Sequence, residues 1–379
     1  MKQTNGQQII QIFESWSPKK IAAMDGDPIG LAVGTLNKAV TKVLVTLDVN
    51  LAVVDEAIEK GCELIIAHHP PIFRKLANLR TDTPQGQLFE KLIKHDIAVY
   101  AAHTNLDVAD GGVNDLLADA LDIQQREVLV PSYEEALYKL AVFVPESHAD
   151  SLRQALSGAG AGSIGLYEAC SFTSTGEGRY QAQQGAEPFA GSVGKLHVEP
   201  EVKVEVVVPD SLKNKVLRAM YNTHPYEEVA FDFFKLETAA KTMGLGRIGT
   251  LKNSMTLQAF AEHVKTSLHV PTVRVVGDLQ DMVTKVAVLG GDGNKYIQAA
   301  KHAGADVYVT GDLYFHVAQD AEAMGLHVVD PGHHVESIMK QGVATKMATL
   351  CAEKQLQVSF LSSELSTEPF SVYLIKKRL

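Results

Sequence analysis

The sequence lacks the features that mark membrane, disulfide-rich and nucleic-acid-binding proteins. It has no uninterrupted apolar stretch near the roughly 18 residues that span a bilayer, and residues 1–11 are polar and lack the apolar core of a signal peptide. Its three cysteines, Cys62, Cys170 and Cys351, are far apart and form no CxxC pair, so neither a disulfide framework nor a thiolate zinc site is indicated. We expect a cytoplasmic protein.

Positive charge is also scarce. The 379 residues include 35 Lys and Arg against 45 Asp and Glu, which gives a formal net charge of −10. Sequence-independent binding to nucleic acid is therefore disfavoured. Apolar residues make up 46% and charged residues 21% of the chain, as in soluble globular proteins, and the length favours two or three domains.

Short β-branched runs alternate with amphipathic stretches in two parts of the chain. In the first series the predicted strands are 42–48, 63–67 and 97–101, and the predicted helices are 51–60 and 85–95. In the second series the predicted strands are 285–290, 306–310 and 326–330, and a helix is predicted over 295–303. Apolar strands separated by helices predict an α/β fold with parallel-type sheets and helices on both faces.

The two series also match each other in register. A shift of 243 residues sets 42–45 against 285–288, and a shift of 229 sets 97–100 against 326–329. We interpret the outer segments as an internally duplicated βαβ-type core. The alternative is that any two βαβ units look alike.

Between the two series the pattern changes. Strands are predicted at 138–144, 167–173, 177–183, 202–208 and 229–236, and helices at 149–157 and 211–221. Apart from one additional strand, we interpret this as the β-α-β-β-α-β order of a ferredoxin-like α+β domain inserted into the core. The predicted organisation is a first core half at 1–131, an inserted domain at 132–238 and a second core half at 239–379.

Ligand-capable residues follow the predicted strands. His68 and His69 end the run at 63–67 and precede two prolines, while His103 and Asp107 follow the next strand. Ligands bind at the carboxyl edge of open α/β sheets. Because adjacent side chains of an extended chain point in opposite directions, the two histidines suit two different metal ions better than one.

The second series delivers a similar set from the segment at 330–337. The shift of 229 lays Glu336 on Asp107. His333 and Glu336 are three residues apart and share one face if a helix begins after Gly332. His334 then points away, so we take His333 and Glu336 as ligands and expect His334 to lie behind them or to face solvent.

Five candidate metal ligands result: His68, His69, Asp107, His333 and Glu336. Three imidazoles and two carboxylates suit hard or borderline divalent ions. With two such ions the net charge is near +2, which favours an anionic substrate, and bound water becomes a nucleophile at neutral pH.

The candidate catalytic residues are Glu336, His103 and Asp312. Glu336 is the carboxylate able to bridge two ions. His103 is either a general acid/base or orients a ligand through its second nitrogen. Asp312 is either a proton acceptor or ligand-orienting group at the site, or an N-cap of the helix near Leu313. The glycine loop at 290–293 either offers backbone N–H groups to an anion or is a plain tight turn.

The segments LDVNLAVVDEAIEKGCELIIAHHPPIF, AAHTNLDVADGGVND and GDLYFHVAQDAEAMGLHVVDPGHHVE closely resemble the dinuclear-metal-centre hexameric proteins. This is the NGG-interacting-factor-like family, whose members are called GTP cyclohydrolase I type 2 homologues. The insert resembles that of the longer bacterial members, which is similar to the PII and CutA fold. Short members often space the last His and Glu four apart, whereas His333 and Glu336 are three apart.

The resemblance implies that the same five residues hold two divalent metal ions per subunit, with zinc expected and iron or manganese as alternatives. It also implies a toroidal homohexamer with its sites facing the interior. We therefore expect a metal-dependent hydrolase of the cyclohydrolase or phosphoesterase type, acting on a small anionic, nucleotide-like substrate. The alternative is a non-catalytic metal-handling or regulatory protein that uses the insert as a sensor.

Overall fold

The structure is a computed structural model that describes residues 4–373. The chain forms two compact units. The core unit comprises the described residues of Met1–Tyr133 and Met243–Leu379, and the insert unit comprises Glu134–Thr242. Among the described residues, every helix is too short or too polar to traverse a bilayer.

The first part of the core unit alternates strands and helices. In chain order its elements are α1 (Gly6–Trp16), β1 (Gly30–Val33), β2 (Lys42–Thr46), α2 (Leu51–Lys60), β3 (Leu64–Ala67), α3 (Pro84–Lys94), β4 (Ala98–Ala101), α4 (Thr104–Val108), α5 (Val113–Ala120) and β5 (Gln124–Pro145). The last of these strands continues into the insert unit. There it is followed by α6 (Ala149–Gly158), β6 (Phe172–Gln181), β7 (Leu196–Pro209), α7 (Lys213–Thr223) and β8 (Phe231–Thr256).

The strand β8 returns the chain to the core unit. The remaining elements are α8 (Leu257–Ser267), β9 (Arg274–Val276), β10 (Met282–Asp292), α9 (Ile297–His302), β11 (Val307–Gly311), α10 (Phe315–Ala323), β12 (His327–Asp330), α11 (Met339–Glu353) and β13 (Ser359–Ser362). Short 3₁₀ segments lie at Lys19–Ile21, Glu146–His148, Asp210–Leu212, Asn294–Tyr296 and His333–Ile338.

The core unit contains strands of two sheets. The first sheet has the order β1-β4-β3-β2-β13, and the second continues as β8-β10-β11-β12-β9 within this unit. The first sheet has four parallel strands, β13, β2, β3 and β4, and the second has three, β10, β11 and β12. In each sheet a short antiparallel strand flanks this set, β1 beside β4 and β9 beside β12. The parallel strands therefore present their carboxyl ends at one edge of each sheet.

Both faces of the first sheet are buried. Alternate residues of a strand point to opposite faces, and here Val43 and Ile66 join the large central core while Leu44 and Ile65 join a separate core under α2 and α3. Apolar residues are therefore needed at 43–45 of β2 and at every position of β3, which explains the hydrophobic runs. The helix α2 begins where the Asn50 side chain accepts from the Val53 N–H.

The insert unit differs from prediction in one strand. The residues 167–173 and 177–183 were predicted to form two strands, but a single strand, β6, runs through Phe172–Gln181 and pairs with β7 over its whole length. The turn between the two predicted strands, at Thr175 and Gly176, is extended because the β7 backbone hydrogen-bonds it into the ladder. The core of this unit is formed by β5, β7, α6 and α7.

Candidate metal centre

His68 and His69 directly follow β3. The His68 N–H donates to the Thr46 carbonyl at 3.1 Å and the His69 N–H to the Leu47 carbonyl at 2.9 Å, beside the end of β2. The expectation that the pair stays extended is wrong, because the backbone bends at both residues. Their ring centroids are 5.1 Å apart. The bend after β3 thus places the two imidazoles side by side at the carboxyl edge, and both Nε2 atoms lie near Glu336.

Both imidazoles are anchored through Nδ1. His68 is fully buried, and its Nδ1 lies 2.9 Å from the Ala102 carbonyl oxygen. The His69 Nδ1 lies 2.7 Å from Asp48 Oδ1, and Asp48 also accepts from the Thr367 hydroxyl. An Nδ1–H donated in this way directs Nε2 toward the centre, which is the usual arrangement of metal-binding histidines.

The loop after β4 supplies His103 and Asp107. His103 precedes α4 and its Nδ1 lies 2.9 Å from Asp27 Oδ1, while Oδ2 of Asp27 accepts from the N–H and hydroxyl of Thr104. Asp107 lies within α4 and is buried. The side-chain amide of Asn114 donates to the Asp107 carbonyl, and its oxygen accepts from the Gly290 N–H, so Asn114 connects the two halves of the core unit.

The second half contributes His333 and Glu336 from the 3₁₀ segment after β12. In a 3₁₀ helix residues i and i+3 eclipse each other, and the His333 Nε2 lies 3.1 Å from Glu336 Oε2. The spacing of three is therefore matched by the type of helix. The His333 Nδ1 lies 2.7 Å from Asp312 Oδ2.

All of these groups meet at Glu336, which is 4% exposed. Its Oε2 lies 3.1 Å from Nε2 of His69, 3.1 Å from Nε2 of His333 and 3.7 Å from Nε2 of His68. Two groups of possible ligands share this carboxylate. We call His68, Asp107 and Glu336 the floor triad, and His69, His333 and Glu336 the rim triad.

A third possible group consists of His68, His69 and His103. The His103 ring lies 5.4 Å from that of His68 and 5.9 Å from that of His69. His103 therefore belongs to the cluster and is oriented by Asp27. Both of its predicted roles are compatible with this position.

The floor triad fits a metal ion. The His68 Nε2 and Asp107 Oδ1 are buried and have no hydrogen-bond partner within residues 4–373, and they lie 3.6 Å apart. Buried polar atoms are normally satisfied, and imidazole nitrogen with carboxylate oxygen is a suitable donor set for a borderline divalent ion. A Cβ on Gly291, whose φ is +64°, would lie 2.6 Å from Glu336 Oε1, so the bare backbone makes room for the shared carboxylate.

Burial and the close charges shift the pKa values of the cluster. Burial raises the pKa of Asp107 to about 6, because the attraction of His68 offsets it only in part. Burial favours protonated Glu336, but the surrounding imidazoles hold the pKa of Glu336 well below its usual range. The hydrogen bond to Glu336 raises the pKa of His333 to about 9, against the effect of burial.

The five predicted ligands therefore converge, and their role as ligands stays a prediction. His334 does not take part in the three groups. Asp312 has a φ of +53°, its carboxylate orients His333, and α10 begins later with Tyr314 at its N-cap, so the N-cap alternative for Asp312 is wrong.

The glycine segment at 290–293 is not the tight turn that was one of its alternatives, because residues 290–292 end the strand β10 and Gly293 leads into a 3₁₀ segment. The Gly290 N–H donates to Asn114, the Gly293 N–H to the Thr310 hydroxyl and the Asn294 N–H to Asp292. The N–H groups of Gly290 and Gly293 are therefore used within the protein and are not available to an anion.

Sequence reasoning missed Asp27, Asp48 and Asn114, and it considered Gly291 only as part of the glycine loop at 290–293, not as the residue that makes room for Glu336. Asp48 stands at the end of the first predicted strand, so the strand-end rule that located His68 would also have located Asp48. Asp27 lies in the loop before β1 and contacts His103 across 76 residues of sequence. In the alignment of the two series by a shift of 243 residues, Gly291 occupies the position that corresponds to Asp48.

A cavity of about 1100 Å³ opens beside the rim triad, and we call it the side cavity. His69 and His333 line it, together with their carboxylate partners Asp48 and Asp312. Its size suits a ligand considerably larger than a single phosphate ion. Its lining residues all belong to the core unit.

Comparison with known proteins gives consistent matches over nearly the whole chain. The family model described as Duf34/NIF3 (NGG1p interacting factor 3) matches residues 4–369. A Bacillus subtilis protein called GTP cyclohydrolase 1 type 2 homolog is 58% identical over 370 residues, covering 98% of this chain and 99% of that protein. A protein of the same name from Halalkalibacterium halodurans is 54% identical and covers 98% and 100%.

Solved structures agree with these matches. The crystal structure of a Bacillus cereus protein related to NIF3 has a TM-score of 0.94 and 54% identity, covering 98% of this chain and 100% of that one. A Staphylococcus aureus protein has a TM-score of 0.77 and 32% identity, with coverage of 98% and 100%.

Proposed function

This chain belongs to the Duf34/NIF3 family, and from that membership and the shared Glu336 we propose that it is a dinuclear metal protein that acts as a metal-dependent hydrolase. One observation carries the proposal: a single buried carboxylate oxygen lies within 3.7 Å of three imidazole nitrogens from both halves of the core unit. Such a carboxylate would contribute to the binding of both ions of a dinuclear site. The chain is matched by relatives called GTP cyclohydrolase 1 type 2 homolog, and the substrate class we propose is a nucleotide-like or phosphoester anion.

In this proposal the floor and rim triads each hold one divalent ion, with zinc first and iron or manganese as alternatives. When bound, two such ions would supply Lewis-acid chemistry and a nucleophilic water at neutral pH. Asp48, Asp312 and Asp27 hold His69, His333 and His103 in fixed orientations through their Nδ1 atoms. His103, at the cluster and half-buried, is placed to move a proton at its Nε2, or to bind metal through the same atom.

Elemental analysis tests the metal site directly. We expect about two ions per chain in the wild type, about one in His69→Ala, and fewer than one in Glu336→Ala, because both triads lose the shared carboxylate. His334→Ala is the matched control, since His334 neighbours His333 but stands outside the three groups. Retention of both ions by Glu336→Ala, or their absence from the wild type, contradicts the dinuclear site.

Turnover needs a separate test. The metal-loaded wild type should convert at least one substrate in panels of nucleotides, phosphoesters and cyclic amides, with products identified by mass spectrometry, and Asp107→Asn should not. If no panel member reacts, while a partner is captured only by the metal-loaded protein, the rival function in metal handling or regulation is favoured instead.

We also propose the finer points of fold and assembly. The first sheet contains the order β1-β4-β3-β2 and the second the order β9-β12-β11-β10, and this equal order supports an internal duplication. The order β5-α6-β6-β7-α7-β8 supports a ferredoxin-like, PII/CutA-like insert at 132–238. Superposition of the two core sheets that fails to align these strands in order would contradict the duplication. A toroidal homohexamer follows from family resemblance, and a monomer mass by light scattering at micromolar concentration would contradict it.

A further inference from the structure

The side cavity offers two kinds of surface to a ligand. One end is formed by the rim histidines and their carboxylate partners. Elsewhere the lining is largely apolar, with Leu47, Val270, Pro271, Ile338 and Phe370. A cavity that joins a reactive end to an apolar wall suits an organic molecule whose reacting group lies at the cluster.

Arg274 is the cation of this cavity, since no other Lys or Arg is found among its described lining residues. It lies on the edge strand β9, directly opposite Asp330 of β12. Its Nη2 donates to the Leu313 carbonyl at 2.9 Å and to the Asp330 carboxylate. Within the described part of the chain Nε and Nη1 have no partner, and the side chain is 66% exposed.

The guanidinium is held in place by a carboxylate that is itself fixed. Asp330 is 3% exposed, and it also accepts from the Leu313 N–H at 3.0 Å and from the Gly332 N–H at 2.8 Å. Because Gly332 precedes His333, the same carboxylate orients both Arg274 and the turn that carries a rim ligand. Arginine fixed in this way presents its remaining N–H groups as a fork for an oxyanion.

The carboxylates around the cavity do not compete for these donors. Asp48 accepts from His69 and Thr367, Asp312 from His333, and Glu368 from the Phe370 N–H. The free N–H groups of Arg274 are therefore available to an incoming anion.

We propose that the side cavity binds the non-reacting part of an organic anion, with Arg274 on its phosphate or carboxylate group and the apolar wall on its organic body. This inference rests on the proposed function, which places the reacting group at the cluster. It adds a residue that sets substrate specificity but does not touch the reacting bond.

The test compares small probes on metal-loaded protein by calorimetry: phenyl phosphate, benzoate and inorganic phosphate. Wild type should bind phenyl phosphate or benzoate more tightly than inorganic phosphate, and the tighter of the two names the oxyanion. Arg274→Gln should weaken that probe about 10- to 100-fold, as expected for lost hydrogen bonds to a charged group. Arg274→Lys should lie between, because it keeps the charge and loses the fork.

Arg80→Gln is the matched control, because it removes the same charge from an exposed loop outside the cavity. Elemental analysis of the same samples separates the two ideas. Ion-free wild-type protein refutes the proposed function, whereas normal metal content with equal probe affinity in wild type, Arg274→Gln and Arg80→Gln overturns the role of Arg274. A wild type that binds inorganic phosphate as tightly as both aromatic probes overturns the role of the apolar wall.

Discussion

The floor and rim triads share Glu336 but satisfy their polar atoms in different ways. In the floor triad, His68 and Asp107 are buried, and the facing Nε2 and Oδ1 atoms have no partner within residues 4–373. In the rim triad, the side chains of His69 and His333 are 25% and 38% exposed, and each Nε2 lies 3.1 Å from Glu336. Among the residues that the structure describes, the floor triad therefore has two buried polar atoms without a hydrogen-bond partner, whereas the Nε2 atoms of the rim triad have one.

This difference indicates distinct roles for the two positions. An unsatisfied buried polar atom costs about 1–3 kcal/mol, so an ion in the floor triad would relieve a cost that the protein alone cannot remove. In the rim triad, protons on the histidines already balance the carboxylates. We therefore expect the floor ion to be structural in character and the rim ion to exchange with protons and solvent.

Among the changes that separate the two triads, the largest expected effect comes from Asp107→Asn, which removes a floor carboxylate and leaves the rim triad intact. The floor ion should be lost, with affinity reduced by about 100-fold or more, and one ion per chain should remain. Elemental analysis and competition with a chromogenic chelator measure both quantities. The exposed Asp119→Asn on α5 serves as control. Loss of both ions, or of neither, would show that the two triads are not separable.

The second largest expected effect is the pH dependence of metal binding at the rim triad. Burial lowers the pKa of His69, but hydrogen bonds to Asp48 and Glu336 outweigh it and raise that pKa to about 10, while the pKa of His333 is about 9. Both values lie above the ordinary 6.5, so the metal-free protein keeps these protons at pH 7. Metal ligands must be deprotonated, and rim affinity should therefore rise with pH, by up to about 100-fold per unit near pH 7.5, until about pH 9.

The measurement is calorimetry of metal binding in buffers with different ionisation enthalpies, which counts the protons released. About two protons should leave the rim at pH 7.5. Burial lowers the pKa of His68 in the floor triad, but Asp107 and Glu336 outweigh it and raise that pKa as well, so the titration is made on Asp107→Asn, which keeps only the rim ion. Heats that do not depend on the buffer in that variant would remove the distinction between rim and floor. In the metal-free protein the raised pKa values of His69 and His333 also contribute to the free energy of unfolding. This contribution is fully present below pH 6.5 and is lost as the pH rises through about 9 to 10.

Strand-end logic predicted much of the site, because the carboxyl ends of parallel strands meet at one edge. His68, His69, Asp107, His333 and Glu336 all follow such strands, and all five converge. Asp27 could not be found in this way, since its loop has no periodicity and its contact with His103 depends on tertiary packing.

The same dependence on tertiary packing explains why the strand β8 was not predicted over its full length. The strand β8 runs through Met243-Gly244-Leu245-Gly246, a segment whose glycines argue against a strand. A Cβ on Gly244 would lie 2.0 Å from the Val130 carbonyl oxygen, so the neighbouring backbone requires the glycine there. Local propensity does not contain that information, because it is set by close approach across more than 100 residues.

The smallest expected effect is that of Asp48→Asn, which changes the rim triad only through the carboxylate that orients His69. It therefore tests the difference between the two triads most specifically. Asp48→Asn keeps an acceptor for the His69 Nδ1–H but removes the charge, and loss of such a partner weakens metal binding by about 10- to 100-fold. It also removes an interaction that raises the pKa of His69, so fewer protons must be displaced and the loss should be smaller at pH 7 than at pH 9. Asp27→Asn, which acts on His103, is the parallel variant.

A loss of metal affinity that is equal at both pH values would mean that Asp48 only positions the His69 ring. A change in the metal affinity of the floor triad would contradict the independence of the two triads.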